Sequence, residues 1–305
     1  LDFNNFMLKV SVIITAFGTP VLLEKAIKSV LNQTLDRIEL IIVDDNNPDT
    51  EARVLTEKII NNFSKSDINI IYVKHESNKN GATARNTGLS IAQGKYISFL
   101  DSDDEYLFER LKKCYCVMEK SSEKIAGVYT GCEFKKDGKR FYVHKKITSG
   151  CFLITTLAST FMFCTGSNIF VRKSVFDELN GFDNNFLRHQ DYEFLVRLFE
   201  KYSLEAISEV LVIKNNENIN LPNIYKMIDI KEQFLAKYKS IIQNLHIKHQ
   251  NYIYHSNYIQ IAEMSLKNKQ FSQANEYYLK AKKYSSMSLR NRFRKILLAI
   301  YNNIN

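Results

Sequence analysis

Apolar, β-branched runs alternate with helical periodicity between Val10 and Leu100. The runs that predict strands are Val10–Thr15, Ile38–Val43, Ile68–Val73 and Tyr96–Leu100, and helical patterns lie between them at about 20–31, 51–63 and 83–92. Buried strands that alternate with helices in this way form a mainly parallel sheet flanked by helices. Ligands bind such sheets at the carboxyl ends of the strands. We therefore predict an α/β fold with a binding site along one rim of the sheet.

The second half of the chain has a less regular pattern. Strands are predicted at 127–134, 141–144 and 168–172, a helix at 191–202 and extended chain at 204–213. Asp137-Gly138 lies between two of these strands and is typical of a hairpin turn. Beyond Tyr225 we predict only helices, because the last proline is Pro222 and all ten glycines precede it. The predicted organisation is one α/β domain at 8–222 and a helical C-terminal extension at 223–305.

The net charge of +9 belongs to the end of the chain. The segment 225–305 contains fourteen Lys and Arg against four Asp and Glu, whereas the chain before Tyr225 is close to neutral. A near-neutral main domain gives no support to nucleic-acid binding, so we expect no nucleic-acid partner.

The last predicted helix is basic and amphipathic. Apolar residues of one face are interleaved with basic residues, the former being Leu289, Phe293, Ile296, Leu297, Ile300 and Tyr301 and the latter Arg290, Arg292, Arg294 and Lys295. A helix of this kind can lie on an anionic membrane surface. It can equally pack on the domain and leave its charges in solvent, and the sequence leaves both interpretations open.

The cysteines and the N-terminal sequence indicate where in the cell the protein is located. The five cysteines, Cys114, Cys116, Cys132, Cys151 and Cys164, are odd in number and fit no zinc-binding pattern. We expect them to be reduced thiols of a cytosolic protein. The chain shows no signal-peptide pattern and no apolar run long enough to span a bilayer. We therefore expect a cytoplasmic protein, attached to the inner face of the cell membrane at most peripherally.

The strongest chemical signal is Asp101-Ser102-Asp103-Asp104, directly after an apolar strand. Three carboxylates in four residues repel one another unless a cation neutralises them. Mn²⁺ and Mg²⁺ are hard ions that take oxygen ligands, and a metal here could bridge a diphosphate. The alternative is a helix N-terminus, where Asp is a common cap.

Three further polar groups have functional and structural interpretations of their own. Asp44-Asp45 ends another strand and could accept hydrogen bonds from a nucleoside, or it could start the turn that follows. Arg85 lies in a helix start rich in small residues and could pair with a phosphate, or it could be an ordinary surface arginine. Asp191 could be a general base or the cap of a helix.

Taken together and in order, these segments resemble the family 2 glycosyltransferases of the GT-A fold. The resemblance covers about residues 8–215 and rests on Val10–Thr15, Ser29–Thr34, Glu39–Asp45, Ala84–Leu89, Gly94–Asp104, Gly181-Phe182-Asp183 and Asp191. It implies a Rossmann-like sheet with a nucleotide-binding half at about 8–110 and an acceptor-binding half at about 111–222.

The resemblance also implies a part for each candidate residue. It assigns the nucleotide to Thr15, Ala16, Phe17, Asp44, Asp45, Arg85, Asp101, Ser102 and Asp103, the metal to Asp101, Asp103 and Asp104, and the sugars to Gly166, Ser167, Asn168 and Gln190. Asp191 would be the catalytic base. The chain departs from the family pattern at Phe17-Gly18, where Tyr-Asn is usual, and at Gln190, where an acidic residue is usual.

The implied function is metal-dependent transfer of a sugar, with inversion, from a UDP-sugar to a hydroxyl group. The acceptor would be a glycan or a lipid-linked glycan of a bacterial surface polysaccharide such as capsule or lipopolysaccharide. Two alternatives remain: a non-catalytic nucleotide- or glycan-binding module of the same fold, and a sugar-phosphate nucleotidyltransferase. The second lacks its usual glycine-rich, lysine-containing signature in Thr15–Pro20.

Overall fold

The structure is a computed structural model that describes residues 7–18, 20–164, 166–215 and 223–284. The described chain falls into two compact units. The first contains residues 7–151 and 162–215, and the second contains residues 152–161 and 223–284. The boundary lies close to the one expected near residue 222. The difference is the short segment 152–161, which we placed within the α/β domain and which belongs to the helical unit.

The first unit is built on one nine-stranded sheet whose strand order is β3-β2-β1-β4-β8-β6-β9-β5, with β7 paired to β6. Its first part consists of β1 (Val10–Ala16), α1 (Leu23–Leu31), β2 (Ile38–Asp44), α2 (Glu51–Asn61), β3 (Asn69–Lys74), α3 (Gly81–Ile91) and β4 (Tyr96–Asp101). The strands β3, β2, β1 and β4 are mutually parallel neighbours. All four strands lie where the apolar runs predicted them.

Close packing fixes the helices on this parallel part. Strands β1 and β2 are buried over almost their whole length, so both of their faces are covered. Helix α1 buries Leu23, Ala26, Ile27 and Val30, which share one helical face. On α3, a side chain at Gly88 would meet the Ile13 side chain at 2.5 Å. Glycine there lets α3 approach β1 closely, and this approach places the first turn of α3 beside the rim.

The second part of the sheet is mixed. Its elements, with one helix of the second unit, are β5 (Glu105–Tyr106), α4 (Arg110–Met118), β6 (Ile125–Lys136), β7 (Lys139–His144), α5 (Leu153–Leu157), β8 (Phe170–Arg172), α6 (Lys173–Glu178), α7 (Gln190–Phe199) and β9 (Ser203–Asn215). Strand β8 is antiparallel to both β4 and β6, whereas β6 and β9 are parallel with irregular register. A short 3-10 turn, Gly166–Asn168, precedes β8.

The second unit is helical, as predicted for the region after Tyr225. It contains α5 together with α8 (Ile224–Lys237), α9 (Lys239–Gln243), α10 (Ile247–Lys267) and α11 (Phe271–Lys282). Helix α5 joins this unit because the side-chain amide of Asn257 on α10 donates to the carbonyl oxygen of Leu157, 2.8 Å away. The basic segment 289–301 lies outside the described residues.

The expectation that all five cysteines are reduced is wrong for one pair. Strand β6 brings Cys132 to Cys164, just before the 3-10 turn, and the two form a disulfide with a Cα–Cα distance of 6.6 Å. The pairing depends on strand order, so spacing alone does not reveal it. Cys114, Cys116 and Cys151 are free thiols. Within the described part of the chain, the helices are too short or too polar to cross a membrane.

Candidate active site

The predicted rim exists, and it is formed by the carboxyl ends of neighbouring parallel strands. Thr15 of β1 is in register with Val43 of β2 and with Asp101 of β4. The strand ends that carry the polar residues therefore lie side by side, as the sequence indicated. Phe17 follows β1 with 63% of its surface exposed, whereas Ala16 is buried. An exposed aromatic ring at this position is available for stacking against a flat ligand.

The three aspartates of the acidic segment converge. Asp101, Asp103 and Asp104 each offer an oxygen atom, and these atoms lie within 4.8 Å of one another. Asp104 is fully buried, and its carboxylate accepts hydrogen bonds from the Ser167 hydroxyl at 2.6 Å and from the backbone N–H of Asn215 at 3.2 Å. The side chains of Asp101 and Asp103 are partly exposed. The helix-cap interpretation is wrong, because β5 follows the segment and α4 begins only at Arg110.

Lys214 completes this acidic cluster and was not among the residues that the sequence singled out. It lies on β9, and its Nζ is 3.6 Å from Asp101 Oδ2, 3.6 Å from Asp103 Oδ1 and 3.2 Å from Asp104 Oδ1. Burial opposes the charge of Lys214, but the three carboxylates outweigh it and raise the Lys214 pKa above its ordinary value. Burial raises the pKa of Asp104 to about 8, against the attraction of Lys214. The cluster is thus a set of strongly coupled charges.

Arg85 connects the acidic cluster to Asp191. Asn80 caps α3 by accepting hydrogen bonds from the backbone amides of Ala82 and Thr83, which fixes the turn that carries Arg85. The Arg85 guanidinium donates to Asp101 Oδ1 at 2.9 Å, and its other terminal nitrogen lies 3.9 Å from Asp191 Oδ1. The surface-arginine interpretation is wrong, since only 11% of this side chain is exposed.

Gln190 lies beside the same guanidinium. Its Oε1 accepts a hydrogen bond of 2.7 Å from Arg85, and its Nε2 donates to the carbonyl oxygen of Leu187. The family pattern has an acidic residue at this position, so here an amide replaces a second negative charge next to Asp191. Gln190 thus orients Arg85 without neutralising it.

Asp191 has the surroundings expected of a base rather than of a cap. The N-cap of α7 is His189, so Asp191 lies inside the helix. Its Oδ1 is buried and has no hydrogen-bond partner among the described residues. Burial raises the Asp191 pKa, and the nearby Arg85 charge opposes that rise. A side chain at Gly166 would lie 3.0 Å from Asp191 Oδ1, so glycine lets the backbone approach this carboxylate closely.

Two residues assigned to sugar binding have a different position. Ser167 and Asn168 are fully buried. The Ser167 hydroxyl donates to Asp104 and accepts from the Asp101 amide at 2.9 Å, while Asn168 exchanges hydrogen bonds with Thr130 of β6. Neither side chain presents an atom to a sugar. Ser167 instead stabilises the acidic cluster, and Asn168 stabilises β6.

Asp44 and Asp45 are also buried. Asp44 accepts hydrogen bonds from Asn46 and from the Tyr72 hydroxyl at 2.6 Å, and the Nε of Arg53 lies 3.2 Å from its Oδ2. Asp45 pairs with the ring of His75 at 2.7 Å and accepts hydrogen bonds from Asn78 and from the Lys79 amide. These carboxylates lie at the predicted rim, but their oxygen atoms are already engaged.

Comparison with known proteins identifies the family. The family model for glycosyl transferase family 2 matches residues 11–179, which is more than half of the chain. The chain belongs to glycosyl transferase family 2. It is 30% identical over 244 residues to an uncharacterized glycosyltransferase of Methanocaldococcus jannaschii, covering 76% of this chain and 78% of that one. The predicted family and the predicted enzyme class, taken at the level of the family, are confirmed.

A second relative has a more specific name. A GalNAc(5)-diNAcBac-PP-undecaprenol beta-1,3-glucosyltransferase of Campylobacter jejuni is 39% identical over 133 residues. The match spans 43% of this chain and 40% of the length of that relative.

Solved structures confirm the predicted GT-A fold. TarS 1–349 of S. aureus in complex with UDP-GlcNAc is similar with a TM-score of 0.59 and 14% identity, and 91% of each chain is covered. The mannosyltransferase PcManGT of Pyrobaculum calidifontis, in complex with GDP-Man and Mn²⁺, has a TM-score of 0.57 at 16% identity. This second match covers 98% of this chain and 81% of the other.

Proposed function

We propose that this chain transfers a sugar from a nucleoside-diphosphate sugar to an acceptor hydroxyl with inversion at the anomeric carbon. The observation that carries the proposal is the pairing of Asp191 with the acidic cluster across the single Arg85 side chain. A carboxylate with an unengaged oxygen and a raised pKa is suited to accept a proton. The neighbouring Arg85, and a metal ion held by the acidic cluster, would bind the diphosphate of the donor.

The residues divide the reaction between them. Asp191 takes the proton of the acceptor hydroxyl while the acceptor oxygen attacks the anomeric carbon from the face opposite the leaving group. Arg85 faces the departing diphosphate as a bidentate donor. One displacement without a covalent intermediate inverts the configuration. The Asp191 side chain is 25% exposed, which gives the acceptor hydroxyl access to its carboxyl group.

The acidic cluster fits a divalent cation. Asp101, Asp103 and Asp104 each offer a carboxylate oxygen atom, and these atoms lie within 4.8 Å of one another, close enough to share one ion. Oxygen donors of this kind suit Mn²⁺ or Mg²⁺, and the partly exposed Asp101 and Asp103 would hold the ion. A bound ion would neutralise charge on the leaving diphosphate.

For the donor we propose a UDP-sugar. The end of β1 would border the base, with Thr15, Ala16 and the exposed ring of Phe17 against it. Because the oxygen atoms of Asp44 and Asp45 are engaged, we assign these residues to the support of the base pocket. Asp101, Ser102 and Asp103 would face the diphosphate. The support for uridine comes from a relative of Escherichia coli whose name gives UDP-Glc as its donor.

For the acceptor we propose a glycan linked through diphosphate to a lipid, as in bacterial surface polysaccharide synthesis. The Campylobacter jejuni relative is named for a diphosphoundecaprenol-linked glycan acceptor. A second relative, of Escherichia coli, is named a glucosyltransferase that acts on a diphosphoundecaprenol-linked GlcNAc and is 38% identical over 128 residues.

The test is a transfer assay with a panel of UDP- and GDP-sugars, with and without Mn²⁺ or Mg²⁺. We expect metal-dependent transfer, a product of inverted configuration by NMR, and a loss of about 1,000-fold in kcat for Asp191→Asn. Asp177→Asn, an exposed aspartate on α6, is the matched control and should retain activity. Nucleotide binding without turnover of any donor would indicate the non-catalytic alternative and overturn the proposal.

A further inference from the structure

A strongly basic hairpin projects from the mixed part of the sheet. It is formed by the end of β6 and by β7, joined at Asp137-Gly138 as predicted, and we call residues 133–146 the basic hairpin. It contains six Lys and Arg, namely Lys135, Lys136, Lys139, Arg140, Lys145 and Lys146, against only Glu133 and Asp137. The residues from Lys136 to Tyr142 are all exposed. Glu133 lies 3.8 Å from Lys135 and 3.7 Å from Arg140, but it offsets only one charge, so the hairpin presents a net positive charge to solvent.

Large apolar side chains are exposed on the same hairpin. Phe141 is 59% exposed and Tyr142 is 43% exposed, and both rings contact Phe134 at centroid distances of 6.1 and 5.6 Å. The Tyr142 hydroxyl lies 3.9 Å from the sulfur of Met162, which is also half exposed. One alternative explanation is that the lysines protect the edge of the sheet against pairing with other strands. That explanation accounts for the lysines but not for the exposed aromatic rings. Basic residues combined with exposed aromatic and thioether groups match the interface of an anionic bilayer instead.

The hairpin begins at the active-site rim. In the pairing of β6 with β9, Phe134 is in register with Lys214 and Lys135 with Asn215. Lys214 contacts the three aspartates of the acidic cluster, and the Asn215 amide donates to Asp104. The base of the basic hairpin thus lies beside the site at which the proposed reaction occurs. A surface bound by the hairpin would be held next to that site.

We propose that the basic hairpin, together with Met162, binds the surface of an anionic lipid bilayer. Its lysines and Arg140 would pair with the headgroups, and Phe141, Tyr142 and Met162 would enter the boundary between headgroups and acyl chains. This gives the chain a membrane-contacting element within the α/β unit, separate from the basic tail. The inference deepens the proposed function by placing a lipid-anchored acceptor beside Asp191, although membrane binding itself does not depend on catalysis.

The test is co-sedimentation of the full chain with vesicles of phosphatidylcholine alone or of phosphatidylcholine and phosphatidylglycerol in equal amounts. We expect binding to the anionic vesicles only, weakened by added salt. The triple variant Lys136→Gln, Lys139→Gln, Arg140→Gln should weaken binding on the order of 100-fold, at about fivefold per cation removed from an anionic surface. The double variant Phe141→Ser, Tyr142→Ser should weaken it while the net charge is unchanged.

Two matched controls separate this proposal from its rivals. The variant Lys112→Gln, Lys120→Gln, Lys124→Gln removes the same charge from exposed positions elsewhere and should bind like the unmodified chain. The variant Arg290→Gln, Arg292→Gln, Arg294→Gln measures how much the basic tail contributes to vesicle binding. Unchanged vesicle binding by the hairpin triple variant overturns the proposal, as does binding of single-stranded RNA through the hairpin in place of anionic vesicles.

The catalytic variant keeps the two proposals distinguishable. Asp191→Asn should bind anionic vesicles like the unmodified chain, because the hairpin is intact. Loss of vesicle binding in the hairpin triple variant, with transfer to a water-soluble acceptor retained, supports both proposals. Vesicle binding without transfer to any acceptor contradicts the proposed function and leaves the hairpin assignment standing.

Discussion

Two groups of aspartates lie at the same rim, and in the sequence both are acidic runs that directly follow an apolar strand. Asp44 and Asp45 are buried among Arg53, Tyr72, His75 and Asn78, so each carboxylate has internal partners. The acidic cluster also has internal partners, namely Arg85, Lys214 and Ser167, but the side chains of Asp101 and Asp103 are partly exposed. Position at a strand end is therefore common to both groups. Exposure of the carboxylates separates them, and we propose that only the exposed group contacts the substrate.

The largest effect that would sharpen this comparison is the loss of a carboxylate from the acidic cluster. Asp103→Asn should lower kcat/KM by about 1,000-fold, because in the proposed mechanism this partly exposed carboxylate is a ligand of the metal and the diphosphate. The free energy of unfolding should stay constant or rise, since burial, against the attraction of Lys214 and with the repulsion of Asp101, raises the Asp103 pKa. Transfer assays and urea denaturation measure the two quantities. A clear loss of stability with full activity would show that Asp103 is a structural residue.

The same substitution in the other group should have the opposite result. Asp44→Asn leaves the buried guanidinium of Arg53 with backbone carbonyl partners but without its carboxylate, and breaking a buried ion pair costs about 3 kcal/mol or more. We expect the free energy of unfolding to fall by that amount, while the folded fraction retains donor affinity. Urea denaturation and isothermal titration with UDP test this pair of outcomes. A selective loss of UDP affinity in a stable variant would instead assign Asp44 to the nucleotide.

The sequence predicted the regular half of the molecule well because that half follows simple rules. Periodicity located β1 to β4, and the parallel topology placed Thr15 beside Asp101 without further information. The acidic segment and Asp191 were also found, since strand ends and family motifs mark them. The helix-cap interpretations could be rejected only when the positions of β5 and of the α7 N-cap were known.

The irregular half was less accessible to prediction. Lys214 is distant along the chain from the aspartates that it contacts, and it reaches them only because β9 pairs with β6 in a register interrupted by bulges. The Cys132–Cys164 disulfide depends on the same strand β6. Ser167 and Asn168 lie in a motif that suggested sugar contacts, and only their burial shows a supporting part. Contacts between distant segments determined each of these features.

A smaller effect concerns Lys214, the lysine whose side chain lies among the three aspartates of the acidic cluster. Lys214 lies within 3.6 Å of an oxygen atom of each aspartate, where a divalent ion would meet the same ligands. Removing its charge should therefore strengthen metal binding, and we expect Lys214→Gln to raise Mn²⁺ affinity by about 10-fold, an energy of about 1.4 kcal/mol. Electron paramagnetic resonance of free Mn²⁺ measures this. Lys113→Gln, an ion-paired lysine near the surface, is the control.

The direction of this change is what makes it informative. A lysine that only stabilises the fold would, when replaced, reduce stability and leave the Mn²⁺ affinity of the folded chain unchanged. Weaker Mn²⁺ binding in Lys214→Gln would mean that the lysine supports the metal site, which contradicts the competition expected here.

The smallest effect is a shift in pH dependence that belongs to Asp191. Its carboxyl must be ionised to accept a proton, so kcat/KM should rise with pH through a pKa above that of an ordinary aspartate. Arg85 lowers this pKa by stabilising the charged form. Arg85→Gln should therefore move the acidic limb of the pH profile to higher pH, in addition to weakening donor binding. An acidic limb that stays in place when Arg85 is replaced would show that another group controls the pH profile. Asp191 would then have no more claim to a catalytic role than the engaged carboxylates of Asp44 and Asp45.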